Sequence, residues 1–167
     1  VLSFKFYNPD WLVEVYSPSN GIPYTSDRPW YNDEIEQDFI KYQGQDYFRL
    51  LADRGIVVRD VEHDPSIDIV KNSDIFRWRL LANENTFYSD TDILYVRSFD
   101  EYQDFADCDA RLEYCVYFRI GMLASSGNNA LFRDLAIIAK NLQNSLDYQS
   151  SGVCSIYALI NMGSLPA

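Results

Sequence analysis

Apolar and polar positions change rhythm repeatedly along the chain, and each change marks a predicted element. Residues 1–7 read as the end of a helix closed by an Asn8-Pro9 turn. Residues 11–17 alternate apolar and polar in strand fashion, and residues 56–62 form a second, buried strand. Between them, residues 18–33 make a loop of about fifteen residues rich in Pro, Gly, Ser, Asn and Asp, long enough to suggest a functional loop. A helix is expected from Asp33, with acidic residues in its first turn and Ile35, Phe39, Ile40 and Tyr42 on one stripe. Gly44 interrupts it before a second helical run that Gly55 closes.

Further on, Ser73 is positioned as the N-cap of a short helix carrying Asp74, Arg77, Leu80 and Leu81. Residues 83–86 make a turn, and 86–96 a strand or pair of strands. Residues 97–109 are polar, a helical turn plus loop. Residues 113–126 read as one strand, with Gly121 at a bend or close approach. After Gly127-Asn128-Asn129 comes the longest expected helix, 130–146, striped by Leu131, Leu135, Ile138, Leu142 and Leu146. Residues 155–163 give a last helix. Strands alternating with helices predict an α/β domain with a largely parallel sheet.

Composition narrows the possible partners. With 167 residues, 47% of them hydrophobic, the chain reads as one domain able to bury its own core. A net charge of −11 argues against a nucleic-acid backbone or an anionic membrane surface as partner. A phosphate-bearing ligand stays compatible, because a bound cation inverts local charge. No apolar run reaches the ~20 residues of a membrane span and no signal peptide is recognised, so a cytoplasmic location is expected. Cys108, Cys115 and Cys154 lack zinc spacing and read as buried small hydrophobes. Lone His63 has no spacing for a metal or a triad. Trp30 and Tyr31 either stack on a sugar or base or anchor their loop to the core.

Candidate chemistry concentrates between Lys71 and Asp100. Asp90-Thr91-Asp92 puts two carboxylates two residues apart; in extended chain both leave one face of a strand. Two hard oxygen donors at a strand end suit Mn²⁺ or Mg²⁺ whose remaining ligands come from a phosphate. Asp74 and Arg77, three apart, share a helix face. Trp78 and Arg79 leave that face, the first for the core and the second for the surface.

Ser73-Asp74-Ile75-Phe76-Arg77, Leu81, Tyr88 and Asp90-Thr91-Asp92, in this order and spacing, resemble the sugar-binding region of glycosyltransferases with a DXD motif. That family includes capsular-sugar transferases, yeast-type α-1,6-mannosyltransferases and clostridial glucosylating toxins. Asn8-Pro9-Asp10-Trp11 and the run from Ile120 to Leu135 extend the resemblance over nearly the whole chain. It implies a GT-A-like fold, a mostly parallel sheet flanked by helices, spanning 1–167 as a single glycosyltransferase-like domain incomplete at both ends. The family's first strand would lie upstream of Val1. The implied activity is metal-dependent transfer from a nucleotide-diphosphate sugar to a saccharide, lipid-linked sugar or protein acceptor, with retention of configuration. Asp92 would bind the ion directly. Asp90 would reach the ribose or donor sugar and a metal-bound water, Asp74 and Arg77 would hold sugar hydroxyls, and Tyr88 would pack beside the nucleotide. Where the family has paired glycines before the Tyr, this chain has Asn85-Thr86, so that turn must be built differently.

Two other readings fit parts of the pattern. One is a non-catalytic carbohydrate-binding or scaffolding member of the same fold. The other is an aspartyl-type phosphatase or phosphotransferase with Asp90 as nucleophile and Asp92 as acid. That chemistry favours a small hydroxyl residue two positions after the second Asp, where Leu94 stands.

Overall fold

A computed structural model describes residues 1–18, 47–101, 109–114, 117–147 and 149–163. The loop and helix expected across 19–46, with Trp30 and Tyr31, lie outside the described residues, as do Cys108 and Cys115. The helices are α1 (Leu2–Tyr7), α2 (Tyr47–Asp53), α3 (Ile69–Asn83), α4 (Ala130–Asn141) and α5 (Val153–Asn161). The strands are β1 (Glu14–Pro18), β2 (Val57–Val61), β3 (Asn85–Ser89), β4 (Ala110–Tyr114) and β5 (Phe118–Ser126).

The architecture is mixed α/β, but the sheet is not largely parallel. β1 and β2 form a parallel pair in which Glu14 faces Val57 and Pro18 faces Val61. β3, β5 and β4 form a separate antiparallel sheet, in that order. The segment expected as one strand over 113–126 is therefore split between the end of β4 and all of β5, which pair as a hairpin with Tyr114 opposite Phe118. β3 ends at Ser89, short of the strand expected to run on to 96.

Helix limits moved for local reasons. Asp68, not Ser73, caps α3: its carboxylate accepts from the Val70 amide at 2.9 Å, and Ser73 lies inside the helix. α3, at 15 residues, is the longest described helix, and α4 stops at Asn141. The Asn129 side chain caps α4 by accepting from the Phe132 amide. The same turn closes α3: the amides of Asn128 and Asn129 donate to the carbonyls of Asn83 and Ala82. Gly127 makes that approach possible. Its φ is +85°, and a Cβ there would stand 2.9 Å from the Asn85 nitrogen. Asn85 and Thr86 themselves are ordinary strand residues paired with Ser126 and Ser125, so the turn expected over 83–86 ends before them and neither takes a left-handed conformation.

Two apolar clusters hold these elements. In the larger, Trp78 and Leu81 of α3 meet Leu123 of β5, Phe132 and Leu135 of α4 and Ile156 of α5, with Trp78 and Phe132 stacked at 6.1 Å. Trp78 is fully buried, as expected, and its indole donates to the Ser151 carbonyl at 2.7 Å. The smaller cluster gathers Phe4, Tyr95 and Phe99, with Trp11 and Phe87 against it. β3 separates the two: Phe87 belongs to the smaller cluster and Tyr88, on the opposite face, to the larger. Buried Lys71 donates to the carbonyls of Gln143 and Ser145 just past α4, a cation at a helix C-terminal end. Cys154 is a half-buried free thiol. Burial first, and Asp147 second, push its pKa up, the opposite of a reactive cysteine.

Candidate functional site

The site grows from one face of α3. Positions 74, 77, 78 and 81 recur at helical spacing, so Asp74 and Arg77 point inward beside Trp78 and Leu81. Both are buried, at 4% and 5% exposure, and Arg77 Nη1 lies 3.3 Å from Asp74 Oδ1. This is not the exposed i,i+3 pair worth a fraction of a kcal/mol that spacing alone suggests. β3 brings the second half. Past its last residue, the Asp90 amide still donates to the Gly121 carbonyl at 2.8 Å, which fixes the start of the following turn against β5.

Asp90 Oδ1 then collects two donors, Arg77 Nη2 at 3.1 Å and the Tyr88 hydroxyl at 2.8 Å. The guanidinium carbon stands 4.7 Å from the centre of the Tyr88 ring, a cation–π contact. Four side chains, from α3, β3 and the residue just past β3, thus close on one another. Burial, helped by the charge and hydrogen bond of Asp90, pushes the Tyr88 pKa up to about 12 although Arg77 works against the shift, so the phenol stays a donor. Burial also opposes the Arg77 charge, but Tyr88 and the two carboxylates hold its pKa above the ordinary value.

Two features leave this cluster incomplete. Arg77 Nε and Nη1 make no hydrogen bond among the described residues; Nη1 is near Asp74 without being aligned to it. Buried N–H groups of a charged side chain are costly to leave without acceptors. Glycines also stand where carboxylates need room. A Cβ on Gly121 would lie 3.0 Å from Asp90 Oδ2, and one on Gly152 2.7 Å from Asp74 Oδ2. Gly121 was legible as a close approach; Gly152, just before α5, carried no sequence signal for the site.

Asp92 is placed otherwise than expected. Asp90-Thr91-Asp92 is not extended: residues 91 and 92 form a turn beyond β3, so the shared strand face does not exist. Asp92 is exposed, makes no hydrogen bond or ion pair among the described residues, and lines an open groove with Leu2, Leu51, Ile93 and Leu94. The structure brings Asp74, Arg77, Tyr88 and Asp90 together and leaves Asp92 at their edge. No group of three acids, histidines or cysteines suited to a metal occurs among the described residues. The donors at hand for a divalent ion are Asp90 Oδ2, which takes no hydrogen bond among the described residues, and the exposed carboxylate of Asp92 in the turn two positions on. Such a two-carboxylate set needs further oxygens from a phosphate.

Compared with known protein families, with curated proteins and with solved structures, the chain matches none of them.

Proposed function

We propose that the chain binds a nucleotide-diphosphate sugar at the Asp74–Arg77–Tyr88–Asp90 cluster and transfers the sugar to an acceptor, as a GT-A-like glycosyltransferase. The observation that carries this reading is the buried guanidinium of Arg77, with Nε and Nη1 unengaged among the described residues, beside the Asp90 carboxylate, whose side chain is 36% exposed. A site of that kind offers donors to sugar or phosphate oxygens and an acceptor to a sugar hydroxyl. Arg77 fixes Asp90 through Nη2, Tyr88 fixes the same oxygen from the other side, and Asp74 holds the guanidinium from α3. The open oxygen of Asp90, with Asp92, would hold Mn²⁺ or Mg²⁺; when bound, such an ion neutralises the charge that develops on a departing diphosphate.

The exposed position of Asp92 favours one second reading, a non-catalytic carbohydrate-binding member of the fold, in which the cluster holds sugar without turnover. One set of measurements separates the two. Thermal shift with UDP-glucose, UDP-galactose and GDP-mannose, each with and without Mn²⁺, is expected to show stabilisation by at least one donor. Release of free sugar or nucleotide is then assayed under the same conditions. Tyr88→Phe and Asp90→Asn should each lose the stabilisation, and Asp92→Ala should lose its Mn²⁺-dependent part. Stabilisation without release assigns the non-catalytic reading. If no nucleotide sugar stabilises the folded chain, the donor-site reading fails.

A further inference from the structure

The closed end of the β4–β5 hairpin carries aromatic rings that reach solvent. Tyr114 ends β4, Phe118 opens β5, and Tyr157 stands on α5. Phe118 packs against the larger apolar cluster and touches both tyrosines. Its ring centre lies 5.0 Å from that of Tyr114 and 5.7 Å from that of Tyr157, with the tyrosine rings inclined to it at 61° and 69°. Tyr114 is nevertheless 62% exposed and Tyr157 39%. Each tyrosine is thus held by an edge-to-face contact on one side and open on another.

This patch differs in chemistry from the other exposed apolar surface. On α1 and in the segments that follow α1 and β3, the exposed large side chains are mainly aliphatic, among them Leu2, Leu12, Leu94 and Val96. At the hairpin and the facing part of α5 they are Tyr114, Tyr117 and Tyr157, each joining a flat apolar face to a hydroxyl. Such side chains match a ligand with apolar faces and hydroxylated edges, which is the build of a pyranose ring. A lipid chain would match the aliphatic surface instead. The net charge of −11 repels an anionic saccharide, so the sugars that fit are neutral.

The patch also leads to the candidate site. From Phe118, β5 reaches Gly121 in three residues, about 10 Å at the rise of a strand, and Gly121 lies against Asp90 Oδ2. On the other side, Gly152 lies against both Ile120 and Asp74, about 8 Å along α5 from Tyr157. The two elements that hold the rings therefore also supply the glycines beside the two carboxylates. We infer that Tyr114, Phe118 and Tyr157 hold a chain of neutral sugar rings whose end is presented to Asp90 as the acceptor. The holding of the chain stands on the rings themselves, and its role as acceptor rests on the donor-site reading. In the transfer, a hydroxyl oxygen at the end of that chain bonds to the anomeric carbon of the donor while the bond from that carbon to the diphosphate breaks. The electron pair leaves with the diphosphate, and the hydroxyl proton goes to one of its oxygens.

Calorimetric titration of the whole chain with maltohexaose, mannohexaose and chitohexaose tests the assignment. At least one of the three should bind saturably, and its monosaccharide at least tenfold more weakly. Tyr114→Ala and Tyr157→Ala, each checked for fold by circular dichroism, should weaken the hexasaccharide at least fivefold, while Phe6→Ala, at an exposed ring on α1, leaves it unchanged. With Mn²⁺ and a donor that stabilises the chain, the bound hexasaccharide should gain one sugar by mass. The site is overturned if none of the three binds at millimolar concentration, if the monosaccharide binds equally well, if both tyrosine variants bind like the parent, or if Phe6→Ala abolishes binding. Donor stabilisation without hexasaccharide binding overturns the site and leaves the donor reading standing. Hexasaccharide binding without elongation keeps the saccharide site and removes its role as acceptor.

Discussion

Set between two carboxylates and nearly excluded from water, Arg77 cannot be truncated without removing the buried cation that faces both Asp74 and Asp90. Arg77→Met should therefore cost about 3–5 kcal/mol of stability, the range for breaking a buried ion pair from one side. Adding Asp74→Asn neutralises the carboxylate that Arg77 faced and should recover part of that loss in urea unfolding. A double variant no more stable than Arg77→Met would show that Asp74 is not the reason. His63 gives a second test at this scale. Burial lowers its pKa from the ordinary 6.5, so the folded chain holds the proton less tightly than the unfolded one. The contribution is complete above the unfolded value and is lost as pH falls through the folded one. Between about pH 7 and pH 6, stability should fall with pH, and His63→Gln should flatten that slope, because no other histidine titrates there. A slope unchanged by the substitution would remove His63 as its source. The pairing of Asp74 with Arg77 was readable from their spacing. Their burial was not, since it depends on Tyr88, Asp90 and Gly152, which reach the same place from other elements.

At the scale of elements, the caps and turns decide where each run begins and ends. Periodicity over residues 69–83 is equally compatible with a start at Asp68 or at Ser73; only the hydrogen bond to Val70 selects Asp68. The hairpin was missed for a related reason. Cys115-Val116-Tyr117 contains none of the Gly, Pro, Asn or Asp residues that announce a turn, so the apolar run reads straight through it. The Gly127–Asn129 turn, by contrast, was visible, and its two outer residues should differ in cost when replaced. Asn129→Ala removes a cap and should cost about 1 kcal/mol. Gly127→Ala sets a left-handed φ against a backbone nitrogen that cannot yield, and about 1–3 kcal/mol is expected from the conformation alone. Thermal unfolding of the two variants checks the order. A Gly127→Ala protein as stable as its parent would mean that the close approach to Asn85 is not maintained in solution.

Across the whole molecule, the count of helices and strands was largely legible while the way the strands associate was not. An order of alternating elements is silent on whether a strand joins its predecessor's sheet or turns back on its successor. Here β3 pairs with β5, and β1 and β2 stand apart. The larger cluster packs on the antiparallel sheet, and its members from β5 and α4 include side chains with no exposure at all. Protection in hydrogen exchange should follow that division, highest for amides of β5 and lower by at least tenfold for those of β1 and β2. Equal protection would place both sheets in one cooperative unit.

The parallel pair carries a kinetic consequence of its own. Hairpin β4–β5 closes over three residues, whereas β1 meets β2 only after the chain from position 18 to position 57 has been gathered in. Loop closure of that length precedes any reward from the ladder, including the cross-strand pair Glu14–Arg59. The antiparallel half should therefore be assembled at the transition state and the parallel pair added afterwards. Ile56, buried beside β2, then becomes a position where Ile56→Val accelerates unfolding and leaves the refolding rate nearly untouched. Stopped-flow chevrons would read this directly, and a slowed refolding limb would place the parallel pair in the nucleus instead.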